Sequence, residues 1–268
     1  MTAYTALALS CLPAYNFIVK VYIETKDLSS FSNFAVLPYS SIEETAMEMQ
    51  KRYFNDHPAY TILRTQNGKP YFAHTDTLFF SGSHTKNYCI TVMAEKDIAV
   101  DIEQCRSKRF HSIAEYAFTA TEQKQLAQSR AIEKDFFLLW TIKEADIKLH
   151  GGSVFSIQDA VHLNLSEKTA VSGSLHKHTT QCAPSIAGEA LHSGTTSEED
   201  TPADNTAYPH SIFSFYLTLA SAKQPVHFVT SIIIAGQHTD VAFEWHESAA
   251  QHSLMSVEQF FVYPARKA

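Results

Sequence analysis

Hydrophobic and polar residues alternate with a period of two through residues 14–24 (AYNFIVKVYIE), and the β-branched and aromatic types there predict a strand. Ser40-Ser41 followed by Glu43 and Glu44 is an N-terminal helix signal, with the helix running to about Tyr53. Asn67-Gly68 and Pro70 mark a turn, and Thr77–Phe80 is a short apolar run. Tyr88–Ala94 (YCITVMA) predicts a strong strand, and the tight Glu95-Lys96-Asp97 connection into Ile98–Glu103 predicts a β-hairpin. Residues 107–117 and 121–129 are helical in composition, with Thr119 or Thr121 capping the second segment. Lys134–Leu149 carries the clearest helical pattern and is stopped by Gly151-Gly152. Ser153–Ile157 and Ala160–Leu165 read as strands.

The character changes between about Ser166 and His210, where Ser, Thr, Gly, Ala, His, Pro and acidic residues follow no sustained period. That composition predicts a long flexible insertion. Periodicity returns in Ile212–Ala220, Val226–Ile234 and Val241–Trp245, which read as strands of a closing sheet. No internal repeat is visible. With 268 residues, 45% of them hydrophobic and 12% aromatic, the chain can bury one large core or two packed lobes.

A formal net charge of −7 argues against general affinity for nucleic acid or anionic membrane, so any polyanion must meet a local basic cluster. Cys11, Cys89, Cys105 and Cys182 are too scattered for a zinc site or a disulfide framework, and they read as reduced thiols of a cytoplasmic protein. The apolar run Ala6–Cys11 lacks a basic flank, is followed by Pro13 and is too short to span a bilayer. A soluble cytosolic protein is therefore expected.

Three segments carry chemistry. Asp101 and Glu103 lie two apart on a strand and project to one face, while Val100 and Ile102 face the other way. Paired hard oxygen donors suit Mg²⁺, although a solvated edge strand shows the same pattern. Trp140, Glu144 and Lys148 form an i, i+4, i+8 stripe with Phe136 before them, and Lys143 is turned about a quarter away. A surface Glu–Lys pair is the plain structural reading, but three carboxylates with lysines also suit a metal meeting a diphosphate. His84 follows Ser81-Gly82-Ser83, read as a small-residue turn whose amides can approach a phosphate. It is one of 14 histidines, and most histidines are structural.

The order Phe80-Ser81-Gly82-Ser83-His84, then Asp101-Ile102-Glu103, then Trp140-Thr141-Ile142-Lys143-Glu144-Ala145 with Lys148, resembles the surfactin-synthetase type of the 4'-phosphopantetheinyl transferase superfamily. Gly68-Lys69-Pro70 is similar to the family's Gly-Lys-Pro segment, and Phe118-Thr119-Ala120-Thr121-Glu122 with Leu126 to its Phe-Ser/Thr-x-x-Glu-x-x-x-Leu segment. The resemblance covers roughly residues 40–165. Ser81 stands where the family usually has Asn, and Ala99 where it has Gly.

The resemblance implies an α/β (α+β) fold of two similar lobes in a pseudo-dimer, with coenzyme A in the cleft between them. On that pattern residues 1–80 form the N-terminal lobe, and residues 81–268, with the insertion at about 166–210, form the lobe holding the metal. Asp101, Glu103 and Glu144 match magnesium-binding carboxylates, and Lys148, with Lys143 in the same motif, matches a diphosphate contact. Lys69 and His84 match contacts to the nucleotide 3'-phosphate end, with Ser83 and Thr85 as added contacts. Glu122 matches a glutamate near the metal end, a candidate for handling the serine proton alongside Glu144. The implied reaction moves phosphopantetheine from coenzyme A to a serine of an apo acyl or peptidyl carrier protein, in a chain able to work as a monomer. Lys108, Arg109 and Phe110 are candidates for meeting an acidic carrier, or a solvated basic turn. The competing readings are a non-catalytic carrier-binding homologue and, further off, a metal-dependent phosphohydrolase.

Overall fold

The computed structural model describes residues 17–25, 37–54, 60–85, 88–167, 169–171, 180–182, 210–219, 225–238, 241–247 and 255–263. The predicted Ala6–Cys11 run and most of the span 166–210 lie outside the described residues.

The alternating segments assemble into two five-stranded sheets. The first has the order β4 (Phe79–Thr85), β5 (Tyr88–Ala94), β1 (Phe17–Thr25), β11 (Val241–Glu247), β8 (Thr180–Cys182). Its strands pair antiparallel except for β1 and β11, which run parallel. The second has the antiparallel order β6 (Ile98–Gln104), β10 (Val226–Ala235), β9 (His210–Leu219), β12 (Met255–Tyr263), β7 (Thr169–Val171). A small pair, β2 (Ile62–Arg64) with β3 (Pro70–Phe72), surrounds the predicted Asn67-Gly68 turn.

Side-chain alternation sorts the core into layers. Val19, Val21, Ile90 and Val92 of the first sheet meet Ile98, Val100, Ile102, Phe215 and Ile232 of the second. Phe80 and Met93 turn the other way, onto Ile42, Ala46 and Met49 of α1 (Leu37–Tyr53). On the far face of the second sheet, Ala99, Val229 and Ile233 pack against α4 (Ile132–His150), which α2 (Phe110–Ala117) and α3 (Ala120–Ala127) flank. Phe110, Phe118, Phe136 and Phe137 interlock there with centroids 4.9–6.0 Å apart. Each such ring contributes about 1.5–3 kcal/mol by burial. The resulting mixed α+β architecture has one long helix on the outer face of each sheet.

Helix ends follow local chemistry. Thr119 and Glu122 form a reciprocal capping box at the start of α3. Gly151 ends α4 in the left-handed conformation at φ 66°, its amide bonding back to the last turn.

Several expectations are corrected. β5 and β6 are not a hairpin: β5 pairs with β4 and β1, whereas β6 pairs with β10. Both strands are buried on both faces, so Glu95–Asp97 carries the chain from one sheet to the other. α1 begins at Leu37, placing Ser40-Ser41 inside the helix rather than at its cap. Residues 153–165 form no strand. Val154–Asp159 is a 3-10 turn capped by Ser153. Beyond it, the amides of Val161, Leu163 and Leu165 donate to Asp146 Oδ2, Glu122 Oε1 and Gln125 Oε1 at 2.9, 3.0 and 2.9 Å. Alternate amides thus find helix side chains instead of a neighbouring strand. Within the span read as an insertion, β7 and β8 edge the two sheets, and β12 is a further strand beyond those the periodicity marked.

Candidate functional site

The two sheets approach one another at β4 and β6, an edge strand of each. Ser81, Ser83 and Thr85 alternate along β4 and turn their buried hydroxyls toward β6. Val100 N donates to Ser81 Oγ at 3.3 Å and Gln104 N to Thr85 Oγ1 at 3.4 Å, while Ser83 Oγ donates to Asp101 Oδ1 at 2.7 Å. The segment Ser81–Ser83 is therefore extended strand, not the phosphate-approaching turn expected from sequence. Gly82 is required for a different reason. A Cβ there would fall 2.3 Å from Ile42 Cγ2, so the glycine lets α1 lie directly on β4.

Lys148, in the last turn of α4, reaches across this seam. Its Nζ donates to Asp101 Oδ1 at 2.7 Å, Ser83 Oγ at 2.9 Å and the Val100 carbonyl at 3.2 Å, using all three ammonium hydrogens. Asp101 Oδ2, by contrast, is buried without a hydrogen-bond partner. A buried carboxylate oxygen in that condition is costly unless a ligand completes it.

Glu103 follows on the same face of β6, with Lys108 Nζ 3.8 Å away. Burial raises its pKa, Lys108 opposes that shift and Asp101 adds to it. Glu144, one helical turn before Lys148, is pushed up to about 7, first by burial, then by Asp101, with Lys148 opposing and Glu103 adding. Glu144 is thus electrostatically coupled to both acidic residues of β6. The ligand atoms of Asp101, Glu103 and Glu144 are more dispersed than those of Asp146, His150 and His210, the one His/Cys/Asp/Glu trio among the described residues with all ligand atoms within 4.8 Å. His84 stands exposed at the rim; burial by its neighbours and the Lys148 ammonium lower its pKa, and Asp101 raises it.

The donor set fits a hard divalent cation. Asp101 and Glu103 alternate along β6, burial and the Asp101 charge hold Glu103 and Glu144 above their ordinary pKa, and Asp101 offers a buried oxygen with no partner.

Other candidates are placed elsewhere. Lys143 is turned into the protein, its Nζ 3.3 Å from Glu122 Oε2, with side chains 0% and 1% exposed. The two lie at ion-pair distance but out of hydrogen-bond alignment. Burial lowers the Lys143 pKa and Glu122 raises it. Glu122 also accepts from the amides of Thr119 and Leu163, which makes it a junction of helix cap, helix and strap. Lys69 directs its ammonium to Asp97 at 3.1 Å and the Leu149 carbonyl at 2.9 Å, by the C-terminal end of α4. Lys108 lies over the Phe137 ring, Phe110 enters the aromatic cluster, and Arg109 is exposed.

Sequence reasoning missed the support beneath Asp101. Thr230 Oγ1 donates to the Asp101 carbonyl at 2.7 Å, and Ser231 Oγ links Thr141 at 2.7 Å with Ser214 at 2.8 Å. The signal was present: Thr230-Ser231 interrupts the apolar run of β10 (VHFVTSIIIA), and adjacent hydroxyls in a twice-buried strand need partners.

Among the described residues, no helix is long and apolar enough to cross a membrane. Comparison with known proteins adds lineage to this geometry. Residues 97–199 match the sequence model of the 4'-phosphopantetheinyl transferase superfamily. The chain is 30% identical over 124 residues to the 4'-phosphopantetheinyl transferase psf-1 of Bacillus pumilus, covering 45% of this chain and 53% of that protein. It is 31% identical over 117 residues to the transferase ffp of Bacillus subtilis (43% and 52%). It is also 30% identical over 119 residues to AcpT of Escherichia coli O157:H7 (41% and 60%). The chain thus spans somewhat more than half the length of these relatives. Asp101, Glu103, Glu122, Lys143, Glu144 and Lys148 fall within the matched segment; Lys69, Ser83, His84 and Thr85 precede it. Through residues 97–199, then, the chain is similar to the 4'-phosphopantetheinyl transferase superfamily.

Proposed function

We propose that this chain transfers the 4'-phosphopantetheine arm of coenzyme A to a serine hydroxyl of an apo acyl or peptidyl carrier protein, releasing 3',5'-adenosine diphosphate. The observation that carries this reading is the electrostatic coupling of Glu144 of α4 to Asp101 and Glu103 of β6, with Lys148 bonded to Asp101, inside the segment matched to the superfamily.

Asp101, Glu103 and Glu144 are the residues that would hold Mg²⁺, with the partnerless Asp101 Oδ2 as the most exact fit. Bound there, the ion would neutralise charge gathering on the diphosphate oxygens as the leaving group departs. Lys148 is 31% exposed, so its ammonium can exchange Asp101 for a phosphate oxygen without leaving the seam. The carrier serine oxygen attacks the β-phosphorus, a new phosphorus–oxygen bond forms, and the bond to the departing adenosine diphosphate breaks. Of the two carboxylates considered as acceptors of the serine proton, Glu144 is the better placed. Glu144 is partly accessible and lies one helical turn before Lys148, whereas Glu122 is sealed against Lys143. Lys143 and Glu122 then act as positioning residues for α4. His84 at the rim is assigned to the nucleotide 3'-phosphate end, and Ser83 to orienting Asp101 and Lys148.

The two sheets, each with its own long helix, support the two-lobed arrangement, and a division near residue 80 would fall within β4. Both sheets come from one chain, which supports a working monomer, and the wide scatter of the four cysteines along the sequence agrees with a cytoplasmic setting. Incubation of the full chain with coenzyme A, Mg²⁺ and apo carriers of fatty acid, polyketide and peptide synthases tests the proposal by intact mass. A gain of one phosphopantetheine arm on at least one carrier is expected; unchanged masses on all of them would overturn it.

A further inference from the structure

A second group of metal-binding side chains lies at the C-terminal end of α4, outside the proposed transfer site. Asp146, His150 and His210 each present a ligand atom within 4.8 Å of the other two. Asp146 and His150 are one helical turn apart, and His210 is the first residue of β9, 60 positions further along the chain. Their orientations are set by surrounding backbone. His150 Nδ1 lies 2.9 Å from the Asp146 carbonyl, a distance that places the imidazole hydrogen on Nδ1 and leaves Nε2 with a lone pair. Asp146 Oδ2 is held by the Val161 amide at 2.9 Å, while Oδ1 lies 3.5 Å from His150 Nδ1.

His150 Nε2 and His210 Nε2 stand 3.4 Å apart. Zinc–imidazole bonds of 2.0–2.1 Å in a tetrahedron separate two nitrogens by about 3.3 Å. In the metal-free form one shared hydrogen occupies that gap. The geometry points to a binding site for a transition-metal dication of the zinc class, held by Asp146, His150 and His210, with its fourth position open to water. Loading requires the His210 hydrogen to move from Nε2 to Nδ1, which keeps the ring neutral and gives up the long 3.3 Å contact from the Gly236 amide. The Nδ1–H bond of His150 to the Asp146 carbonyl is the supporting contact that metal-ligating histidines usually make. Burial and the facing His150 ring lower the His210 pKa, with Asp146 and Asp97 opposing.

Donor chemistry separates this site from the carboxylate site. Two imidazoles and one carboxylate favour zinc, cobalt or nickel, whereas an all-oxygen set suits magnesium. One chain would thus take two metals at once, the second tying the end of α4 to the start of β9.

Titration of the full metal-free chain with Co²⁺ alone tests this site through the visible absorption of four-coordinate cobalt, a readout independent of transfer activity. One equivalent of saturable signal is expected, persisting in millimolar Mg²⁺, lost in His210→Ala and weakened roughly tenfold or more in His150→Gln. His150 is 57% exposed, so its replacement leaves the fold intact even if that of His210 does not. No cobalt signal, a signal unchanged by His150→Gln, or one displaced by Mg²⁺ would overturn the proposal.

Discussion

Helix α4 carries two lysine–carboxylate pairs five residues apart, and they have opposite characters. Lys143 and Glu122 are sealed: neither side chain meets solvent, and Glu122 gives its oxygens to the amides of two flanking segments. Lys148 and Asp101 are open: the lysine is partly exposed, and the aspartate keeps one buried oxygen without a partner. A pair of the first kind fixes the position of a helix, because removing either charge strands the other away from water. A pair of the second kind can be remodelled by a ligand that brings its own charge. Pairing alone therefore does not mark a working site; an unspent lone pair beside an accessible cation does.

The largest test of this contrast is Lys143→Met. It leaves the Glu122 carboxylate buried and should cost about 3–5 kcal/mol of stability, read as a lowered midpoint in thermal unfolding. Lys143→Met combined with Glu122→Gln should recover much of that loss. Equal destabilisation by the single and double variants would mean that the two charges are uncoupled. Next in size, Lys148→Met should slow carrier modification roughly 100-fold, about 2.7 kcal/mol in the barrier, while lowering the melting temperature less than Lys143→Met does, because Asp101 keeps the Ser83 hydrogen bond. A melt as damaged as that of Lys143→Met would erase the distinction between open and sealed.

Gly82→Ala tests the backing of the open pair. Its methyl would strike Ile42, and destabilisation of about 1–3 kcal/mol is expected, with Ile42→Ala relieving part of it. The smallest effect is a pH dependence. Glu144 has its folded pKa near 7, above its ordinary 4.5. The folded state therefore holds the proton more tightly, and the corresponding stability is fully present below about 4.5 and is lost as pH rises through about 7. Without divalent cation, the melting temperature should fall across that window, and Glu144→Gln should flatten the fall. An equally steep decline in Glu144→Gln would assign the dependence to other groups.

Much of this contrast was legible in the sequence, in specific places. The Trp140–Lys148 stripe and the Asp101/Glu103 alternation depend only on local helical and strand periods, and a helix and a strand form over those segments. The Thr119 capping box is equally local. What could not be read was set by distant partners. Tyr88–Ala94 and Ile98–Glu103 have the pattern of a hairpin, but their ladders are formed with β4 and β1 on one side and β10 on the other. Residues 160–165 have the alternation of a strand, but Asp146, Glu122 and Gln125 claim their amides. Lys143 and Glu122 share motifs with the site residues, and only tertiary packing reveals that they face inward.

The hydroxyl seam between β4 and β6 has a dynamic consequence. Val100 and Gln104 give their amides to the side chains of Ser81 and Thr85 rather than to a neighbouring main chain. A hydroxyl can rotate away without unzipping a ladder, so these two amides should take up deuterium sooner than those bonded across to β10. The junction on which the candidate site is built is thus a place where two sheets can breathe while each stays whole.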